Sequence, residues 1–435
     1  MKKAIFLDRD GTINYDYGYV SSPEKFKLLK YAAPSLYELQ KMGYLLIIIT
    51  NQSGIGRNYY KLEDFHKVNK KMFELLSRYK VKINDIFFCP HPPEENCICR
   101  KPSPEMVFRA AEKWKINIKE SFFIGDKVTD ILCGKNAGCT TIKIENSKYR
   151  QTADVIEQGD YKVENLKEAL AVIKKLSLLK KQKKATAVIP ARIGSTRLKE
   201  KIIKKAKKIP LIEYTYKNAK SMNIFKEIFI ATDSVKIQKI CKKFNAKCIL
   251  TKKSHQSGTS RISEIYKKVK TPYIINIQAD EPLISIAHIE KLITSLSNSK
   301  NALVSTAMSK IKNIKEEKNP NIVKVVFDKD NFALYFSRYP IPYKRSGAFE
   351  IPKYKHIGIY GYKRSFFNKY KKFKISELEL SEKLEQLTFL YNKIKIKLAE
   401  VENETIGIDT EEEFEEFENL VEKHKTFFKN LIKNN

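Results

Sequence analysis

The chain is expected to fold as α/β, with two doubly wound domains in which helices flank a sheet. Three observations predict this. Short runs of β-branched and aromatic residues alternate with amphipathic helical periods. The alternation falters once, in a basic stretch, and then restarts. Charged or polar residues directly follow several apolar runs, the place where open α/β sheets bind ligands.

In chain order, the first apolar runs lie at 4–7, 44–49, 86–88, 121–124 and 140–144. Between them, residues 62–78 repeat Phe65, Val68, Met72, Leu75 and Leu76 at helical spacing. Such alternation predicts a parallel sheet with helices on both faces. Residues 174–184, KKLSLLKKQKK, read as a helix end plus linker. A strand at 186–189 then leads into PARIGSTRL, and further strands are expected near 228–231 and 273–277. The domains are therefore drawn at 1–173 and 185–435, with a basic linker at 174–184. The tail from Glu411 turns from acidic to basic along an amphipathic helix and reads as packing or a solvated face.

With 435 residues the chain can bury two or three separate cores. Its net charge of +33 raises the prospect of a nucleic-acid partner. The lysines are scattered through every segment instead of forming one stripe, so a generally lysine-rich composition is the preferred account. No nucleic-acid or membrane partner is expected. No apolar run approaches the roughly eighteen residues of a membrane span. The apolar start is cut short by Asp8 and Arg9, so it is not read as a signal peptide and a cytoplasmic location is expected. Seven cysteines argue against a complete disulfide framework. Cys133, Cys139, Cys241 and Cys248 are isolated and read as buried thiols.

FLDRDGTIN sets Asp8 directly after the first strand and Asp10 two residues on. Two aspartates there can hold Mg²⁺, and one can attack phosphorus. An Asp-Gly turn after a strand is also common without any function. Other strand ends strengthen the functional reading. Thr50, Asn51, Gln52 and Ser53 offer hydroxyl and amide groups to phosphate oxygens. Arg100 and Lys101 supply cations, and Asp126-Lys127 a further carboxylate and cation. This constellation resembles the haloacid dehalogenase phosphatases over about residues 1–150. The resemblance implies a Rossmannoid domain with Asp8 as nucleophile and Asp10 as acid and then base. It also implies Thr50 and Lys101 on the phosphoryl group, and Mg²⁺ on Asp8, the Asp10 carbonyl and Asp126.

CPHPPEENCICRKP gathers Cys89, His91, Cys97 and Cys99, a ligand set for tetrahedral Zn²⁺ with no open position. The expected role is structural, fixing Arg100 and Lys101 where the loop ends. The loop is similar to that of D-glycero-D-manno-heptose 1,7-bisphosphate 7-phosphatases and of related histidinol-phosphatases. INYDYGYV and TNQSGIGRNYY look closer to the heptose enzymes. That resemblance implies substrate contacts from Asp16, Tyr19, Thr50, Asn51, Gln52, Ser53, Arg100, Lys101 and Lys127. Histidinol phosphate and Kdo-8-phosphate are the alternative substrates.

The second half opens with AVIPARIGSTRLKEK, in which small residues let backbone approach a polyphosphate and cations balance its charge. Asp280 follows a strand in INIQADEPL, and Asp409 lies in GIDT. Two such carboxylates can bring Mg²⁺ to a nucleoside triphosphate, though each singly is more often a cap or turn residue. The stretches PARIGSTRL, ATDS, SGTSRISE, NIQADEPL, YFSRYPIPY, KHIGIYGY, LELSEKLEQL and GIDT occur in the family order of 3-deoxy-manno-octulosonate (Kdo) cytidylyltransferases. The resemblance covers about residues 185–425 and implies a nucleotidyltransferase α/β domain of the glycosyltransferase-A-like type. It implies CTP on Arg192, Ser195, Arg197 and Lys201, and Mg²⁺ on Asp280 and Asp409. It further implies the sugar acid on Gln278, Arg338, His356, Tyr360, Glu385 and Gln386. A homodimer through this domain is expected.

The sequence departs from that family at Lys199-Glu200 for Pro-Gly, Ser260 for Asp, Ala279 for Gly and Thr388 for Arg. These departures put the turn before Lys201 and a polar contact near the nucleotide in question. The expected whole is a bifunctional enzyme of lipopolysaccharide core or capsule sugar synthesis, with Mg²⁺ and structural Zn²⁺. Its substrates would be a sugar bisphosphate, CTP and Kdo. The rivals are activation of another sugar acid, a non-catalytic second domain, and a basic nucleic-acid-binding protein.

Overall fold

The computed structural model describes residues 1–145, 154–194, 198, 200–345, 349, 351–402, 405 and 407–433. The chain divides into two compact units. One comprises Met1–Leu178, Ser221–Asn223 and His424–Asn435; the other comprises Leu179–Lys220 and Ile224–Lys423. Among the described residues no helix is long and apolar enough to cross a membrane. Residues 174–182 of the stretch expected as a linker are the end of the helix Leu166–Gln182.

The first unit is built on six strands: β1 Lys3–Leu7, β2 Tyr44–Asn51, β3 Asp85–Cys89, β4 Phe122–Gly125, β5 Thr140–Ile144 and β6 Tyr161–Val163. Their order is β3-β2-β1-β4-β5-β6, and every pairing is parallel. Strands covered on both faces read as unbroken apolar runs, which is why YLLIIIT and FFIG carry no alternation. The helix Leu62–Ser77 buries Phe65, Val68 and Met72, as its spacing predicts. β1 lies between β2 and β4, with Leu7 level with both Ile48 and Ile124. The chain therefore reverses its direction of winding at the carboxyl end of β1, where a crevice opens.

The second unit carries β7 Ala185–Ala191, β8 Lys205–Ala206, β9 Ile209–Pro210, β10 Phe225–Thr232, β11 Lys247–Leu250 and β12 Tyr273–Asn276. It continues with β13 Val304–Lys310, β14 Lys324–Phe327, β15 Ala333–Ser337, β16 Tyr354–Lys363 and β17 Ile396–Glu400. The main sheet runs β11-β10-β7-β12-β16-β13-β17, with β14 and β15 attached to β16 and β8-β9 a separate pair. It is mixed: β16 runs antiparallel to both β12 and β13. Apolar runs report burial and not direction, so the sequence pattern could not reveal that reversal. The tail from Glu411 is two helices, Glu411–Lys423 and Lys425–Lys433.

Candidate active sites

Asp8 leaves the end of β1 with its amide bonded to the Ile124 carbonyl at 3.0 Å. Its carboxylate faces Lys101, whose Nζ lies 2.7 Å from Asp8 Oδ1 and 2.6 Å from Asp130 Oδ1. The same ammonium donates to the Ile49 carbonyl at 2.8 Å. Burial pulls the ammonium toward neutrality, but Asp130 and Asp8 more than offset that and hold it above the usual lysine range. Burial pushes Asp8 up to about 6, with Lys101 opposing. Asp126 rises further, to about 8, through burial and the neighbouring Asp8 and Asp130.

Asp126 is buried, and neither of its carboxylate oxygens has a hydrogen-bond partner. One oxygen each from Asp8, Asp126 and Asp130 gather within 4.8 Å of one another. Unpaired buried carboxylates are costly, and an all-oxygen anionic set suits a hard divalent cation. Gly11 permits the arrangement: its φ is +91°, and a Cβ there would fall 2.3 Å from Asp126 Oδ2.

Asp10 is turned away from this cluster. Arg9, wholly buried, grips its carboxylate at 2.9 Å, and Asn14 and Gln52 donate to it at 2.9 and 3.0 Å. Burial opposes, but the Arg9 charge and these bonds hold Asp10 below the usual carboxylate range. Gln52 also donates to Thr50 Oγ1 at 2.9 Å. Asn51 exchanges two hydrogen bonds with the Lys101 main chain, at 3.1 and 3.2 Å. Asn51 thus positions Lys101. Asp16 pairs with Lys127 at 2.9 Å. Asp10, Asp16, Tyr19, Asn51, Gln52, Ser53, Arg100, Lys101 and Lys127 all line one cavity of about 930 Å³.

Cys89, His91, Cys97 and Cys99 each bring one ligand atom within 4.8 Å of the others. His91 Nδ1 lies 3.6 Å from the Sγ atoms of Cys89 and Cys99, and the Cys97 and Cys99 sulfurs are 3.0 Å apart. Three thiols and an imidazole form a donor set that fits Zn²⁺. Arg100 Nη1 donates to the His91 carbonyl at 3.1 Å, so this loop is tied to the cation at its end. Pro93, Asn96, Cys97 and Ile98 carry the loop onto the wall of the same cavity.

In the second unit, Lys201 Nζ lies 2.5 Å from Asp280 Oδ2 and 2.7 Å from Asp409 Oδ1. The Ile408 amide bonds to the Asp280 carbonyl at 3.0 Å, which joins the two carboxylate segments. Arg192, Gly194, Lys201, Gln278, Asp280 and Asp409 line a cavity of about 450 Å³. Ser195 and Arg197 lie outside the described residues, as does Lys199. Glu281, beside Asp280 and on the same wall, is pushed up to about 8 by burial and by Asp280 and Asp409.

Of the residues expected on the sugar acid, His356, Tyr360 and Gln386 are neighbours, with the His356 and Tyr360 rings 5.5 Å apart and Glu385 close to Tyr360, whereas Arg338 is not among them. Gln278 reaches the cavity and donates to the Gly358 carbonyl at 3.1 Å. Tyr360 donates to Gln386 Oε1 at 3.0 Å, and Thr259 donates to Glu385 at 2.7 Å. His356 Nε2 lies 2.8 Å from Thr306 Oγ1, its ring is 5.0 Å from Phe336, and burial pushes the imidazole down to about 3. Arg338 is engaged elsewhere: Nε donates to the Glu382 carbonyl at 2.7 Å and Nη1 to the Pro320 carbonyl at 3.0 Å.

The family departures also have structural places. Ser260 and Ser257 exchange side-chain-to-amide bonds at 3.2 and 3.1 Å, a capping box for the helix Gly258–Ile265. An N-terminal carboxylate would do similar work, so Ser260 preserves the cap. Thr388 Oγ1 accepts from the Ser376 amide at 2.9 Å. The Ala279 carbonyl accepts from Thr215 at 2.9 Å. Glu200 is left-handed, with φ 52°, and pairs with Lys236 at 2.7 Å.

Sequence reasoning missed Arg9, Asp130 and Glu281. Asp130 had a legible signal, GDKVTD, which returns a carboxylate one turn into the helix Val128–Ala137. Arg9 had none, because a lone arginine gives no sign of being buried.

Fold and site together give the second unit the character of a cytidylyltransferase, and the first unit carries a stretch that is similar to HAD-hydrolase-like proteins. Residues 186–396 match the cytidylyltransferase family model, and residues 98–169 match the HAD-hydrolase-like model. The 3-deoxy-manno-octulosonate cytidylyltransferase of Fusobacterium nucleatum subsp. nucleatum is 44% identical over 243 residues, 55% of this chain and 98% of the relative. The chain therefore belongs, through its second unit, to the 3-deoxy-manno-octulosonate cytidylyltransferase family. A solved CMP:2-keto-3-deoxy-manno-octonic acid synthetase in complex with CTP is 35% identical, with TM-score 0.52, covering 55% of this chain and 99% of that one. A D,D-heptose 1,7-bisphosphate phosphatase from B. bronchiseptica is 27% identical, with TM-score 0.36, covering 40% and 97%.

Proposed function

We propose that the first unit removes the 7-phosphate of D-glycero-D-manno-heptose 1,7-bisphosphate, and that the second transfers CMP from CTP to Kdo. The observation that carries the first half is the Asp8–Lys101 pair beside an unpartnered Asp126. Asp8 attacks phosphorus, the bond to the sugar oxygen breaks, and an aspartyl-phosphate forms. The leaving oxygen takes its proton from Asp10. Asp10, returned to a carboxylate, then takes a proton from the water that attacks phosphorus, releasing inorganic phosphate and restoring Asp8. Its resting pKa is low, so its first proton comes from solvent, taken up as the negative charge of the substrate dianion comes close and raises its affinity for protons. Lys101 draws charge from the phosphoryl oxygens. Asp8, the Asp10 carbonyl and Asp126 would hold Mg²⁺, with Asp130 close by; when bound it neutralises phosphoryl charge.

The choice of heptose bisphosphate is supported by the zinc-type loop on the cavity wall and by the INYDYGYV and TNQSGIGRNYY stretches. Cys89, His91, Cys97 and Cys99 would hold Zn²⁺ in a structural role. In the second unit Asp280 and Asp409 would hold Mg²⁺, and Arg192, Ser195, Arg197 and Lys201 would engage CTP. The sugar hydroxyl attacks the α-phosphorus and the bond to the β-phosphate breaks, expelling pyrophosphate. The protein's work there is positioning and charge neutralisation. We place the enzyme in the cytoplasm, as a homodimer through the second unit.

A phosphate-release panel of heptose bisphosphate anomers, histidinol phosphate and Kdo-8-phosphate tests the first unit. Pyrophosphate release from CTP with Kdo tests the second. Release of phosphate only from histidinol phosphate would overturn the heptose assignment, and no pyrophosphate with any sugar acid would overturn the transfer.

A further inference from the structure

We propose that Lys201 is a resident counterion, which holds Asp280 and Asp409 together while no nucleotide is bound and changes partners when a metal–triphosphate complex enters. The inference rests on Asp280 and Asp409 being the metal ligands proposed above. Its basis is one contact geometry. The Lys201 ammonium bridges the two carboxylates at 2.5 and 2.7 Å. The Lys201 side chain is 9% exposed, against 27% for Asp280 and 42% for Asp409. The cation is thus the inner member of the trio, and the carboxylates are the members open to the cavity.

The backbone holds the bridge in place. Lys201 opens the short turn Lys201–Ile203, closed by a bond from the Lys204 amide to the Lys201 carbonyl at 3.1 Å. The Ile408–Asp280 bond holds the other two segments in register. Only the lysine stem, with four rotatable carbons, is free to swing.

Two consequences follow. The oxygens that would ligate a divalent cation are already satisfied by an ammonium, so a bare cation competes with an ion pair whose cation is nearly buried and whose carboxylates are partly open. Losing a buried partner without replacement is costly. A triphosphate supplies that replacement, because its oxygens accept from the released ammonium. Arg192 and Gly194 on the same cavity wall are where the phosphates would be met. Lys201 therefore makes metal binding depend on nucleotide binding. No covalent bond changes; one set of charge-assisted hydrogen bonds is exchanged for another.

The test uses the full chain carrying Asp126→Asn, which removes one of the three carboxylates gathered in the first unit. Mn²⁺ is titrated by electron paramagnetic resonance in the absence of CTP, and CTP is titrated separately by calorimetry without metal. Lys201→Gln should bind Mn²⁺ at least about tenfold tighter than its parent and CTP about tenfold weaker, because one charge leaves both encounters. Lys201→Arg keeps the charge and should stay within about twofold of the parent for Mn²⁺. Unchanged Mn²⁺ affinity in the Gln variant, or equal tightening in the Arg variant, overturns the proposal. Should the Gln variant not fold, the parent alone decides: Mn²⁺ must bind far more tightly with a non-hydrolysable CTP analogue than without, and equal affinity overturns the proposal. Pyrophosphate release by the unaltered chain tests the transfer itself, so failure of the counterion and failure of the activity are separately visible.

Discussion

Lys101 Nζ stands 2.7 Å from Asp8 Oδ1, a pair in which both side chains are nearly sealed from solvent. The pair joins the end of β1 to the loop that follows the four-ligand cluster, and Asp130 completes it at 2.6 Å. Lys101 is therefore the counterion of both Asp8 and Asp130, and in the proposed reaction also a charge for the phosphoryl group. Replacing it by Met should leave Asp8 and Asp130 facing one another unpaired. Phosphate release should fall about a hundredfold to a thousandfold, and stability by about 3 kcal/mol. Phosphate-release kinetics and denaturant unfolding read the two effects; loss of activity with unchanged stability would contradict the buried pairing.

Asp8→Asn removes the proposed nucleophile and should abolish phosphate release with every substrate of the panel, while pyrophosphate release from CTP persists. Both assays on the same preparation check this, and surviving phosphatase activity would sink the nucleophile assignment.

The raised values of Asp8, about 6, and Asp126, about 8, make a pH prediction. Each is above its unfolded value, so the folded metal-free protein binds protons more readily than the unfolded chain. Their contribution to stability is complete below the ordinary aspartate range and is lost as pH rises through about 6 and then about 8. Divalent-cation binding requires the opposite, deprotonated form. Added Mg²⁺ should thus raise the melting temperature of the first unit little at pH 5 and progressively more toward pH 8.5. A Mg²⁺ effect independent of pH would falsify the assignment of these carboxylates as ligands.

The Cys89–His91–Cys97–Cys99 cluster should carry one zinc per chain by elemental analysis. Cys99→Ser should lose it and lose phosphatase activity with it, since Arg100 and Lys101 follow directly and Arg100 is bonded to His91. CTP turnover should be untouched. Full phosphatase activity in zinc-free protein would refute the fixing role.

Ser260 is the third-position partner of Ser257 in the capping box of Gly258–Ile265, whose first turn lies against the second unit's cavity, lined by Ser257 and Gly258. Ser260→Ala should cost about 1 kcal/mol of stability and raise KM for CTP, whereas Ser260→Asp should keep both. Thermal unfolding and initial rates distinguish the pair, and equal behaviour of the two variants would show the cap to be irrelevant.

Much of this molecule was legible before any coordinates. The runs at 4–7, 44–49 and 121–124 become the central parallel strands because residues buried on both faces must all be apolar. That Asp8 and Asp126 gather, and that Cys89, His91, Cys97 and Cys99 gather, was legible because local chemistry and spacing mark them. Tertiary structure alone decided the rest. It put Asp130 and Lys101 on Asp8, turned Asp10 onto a buried Arg9, ran β16 antiparallel through the second sheet, and gave Arg338 to main-chain carbonyls. It also joined Lys201 to Asp280 and Asp409, residues far apart in the chain. The physical reason is common to all of these. Composition and period fix which faces are buried, but which distant charge satisfies which other charge is settled only when the sheets close and water is excluded from between them.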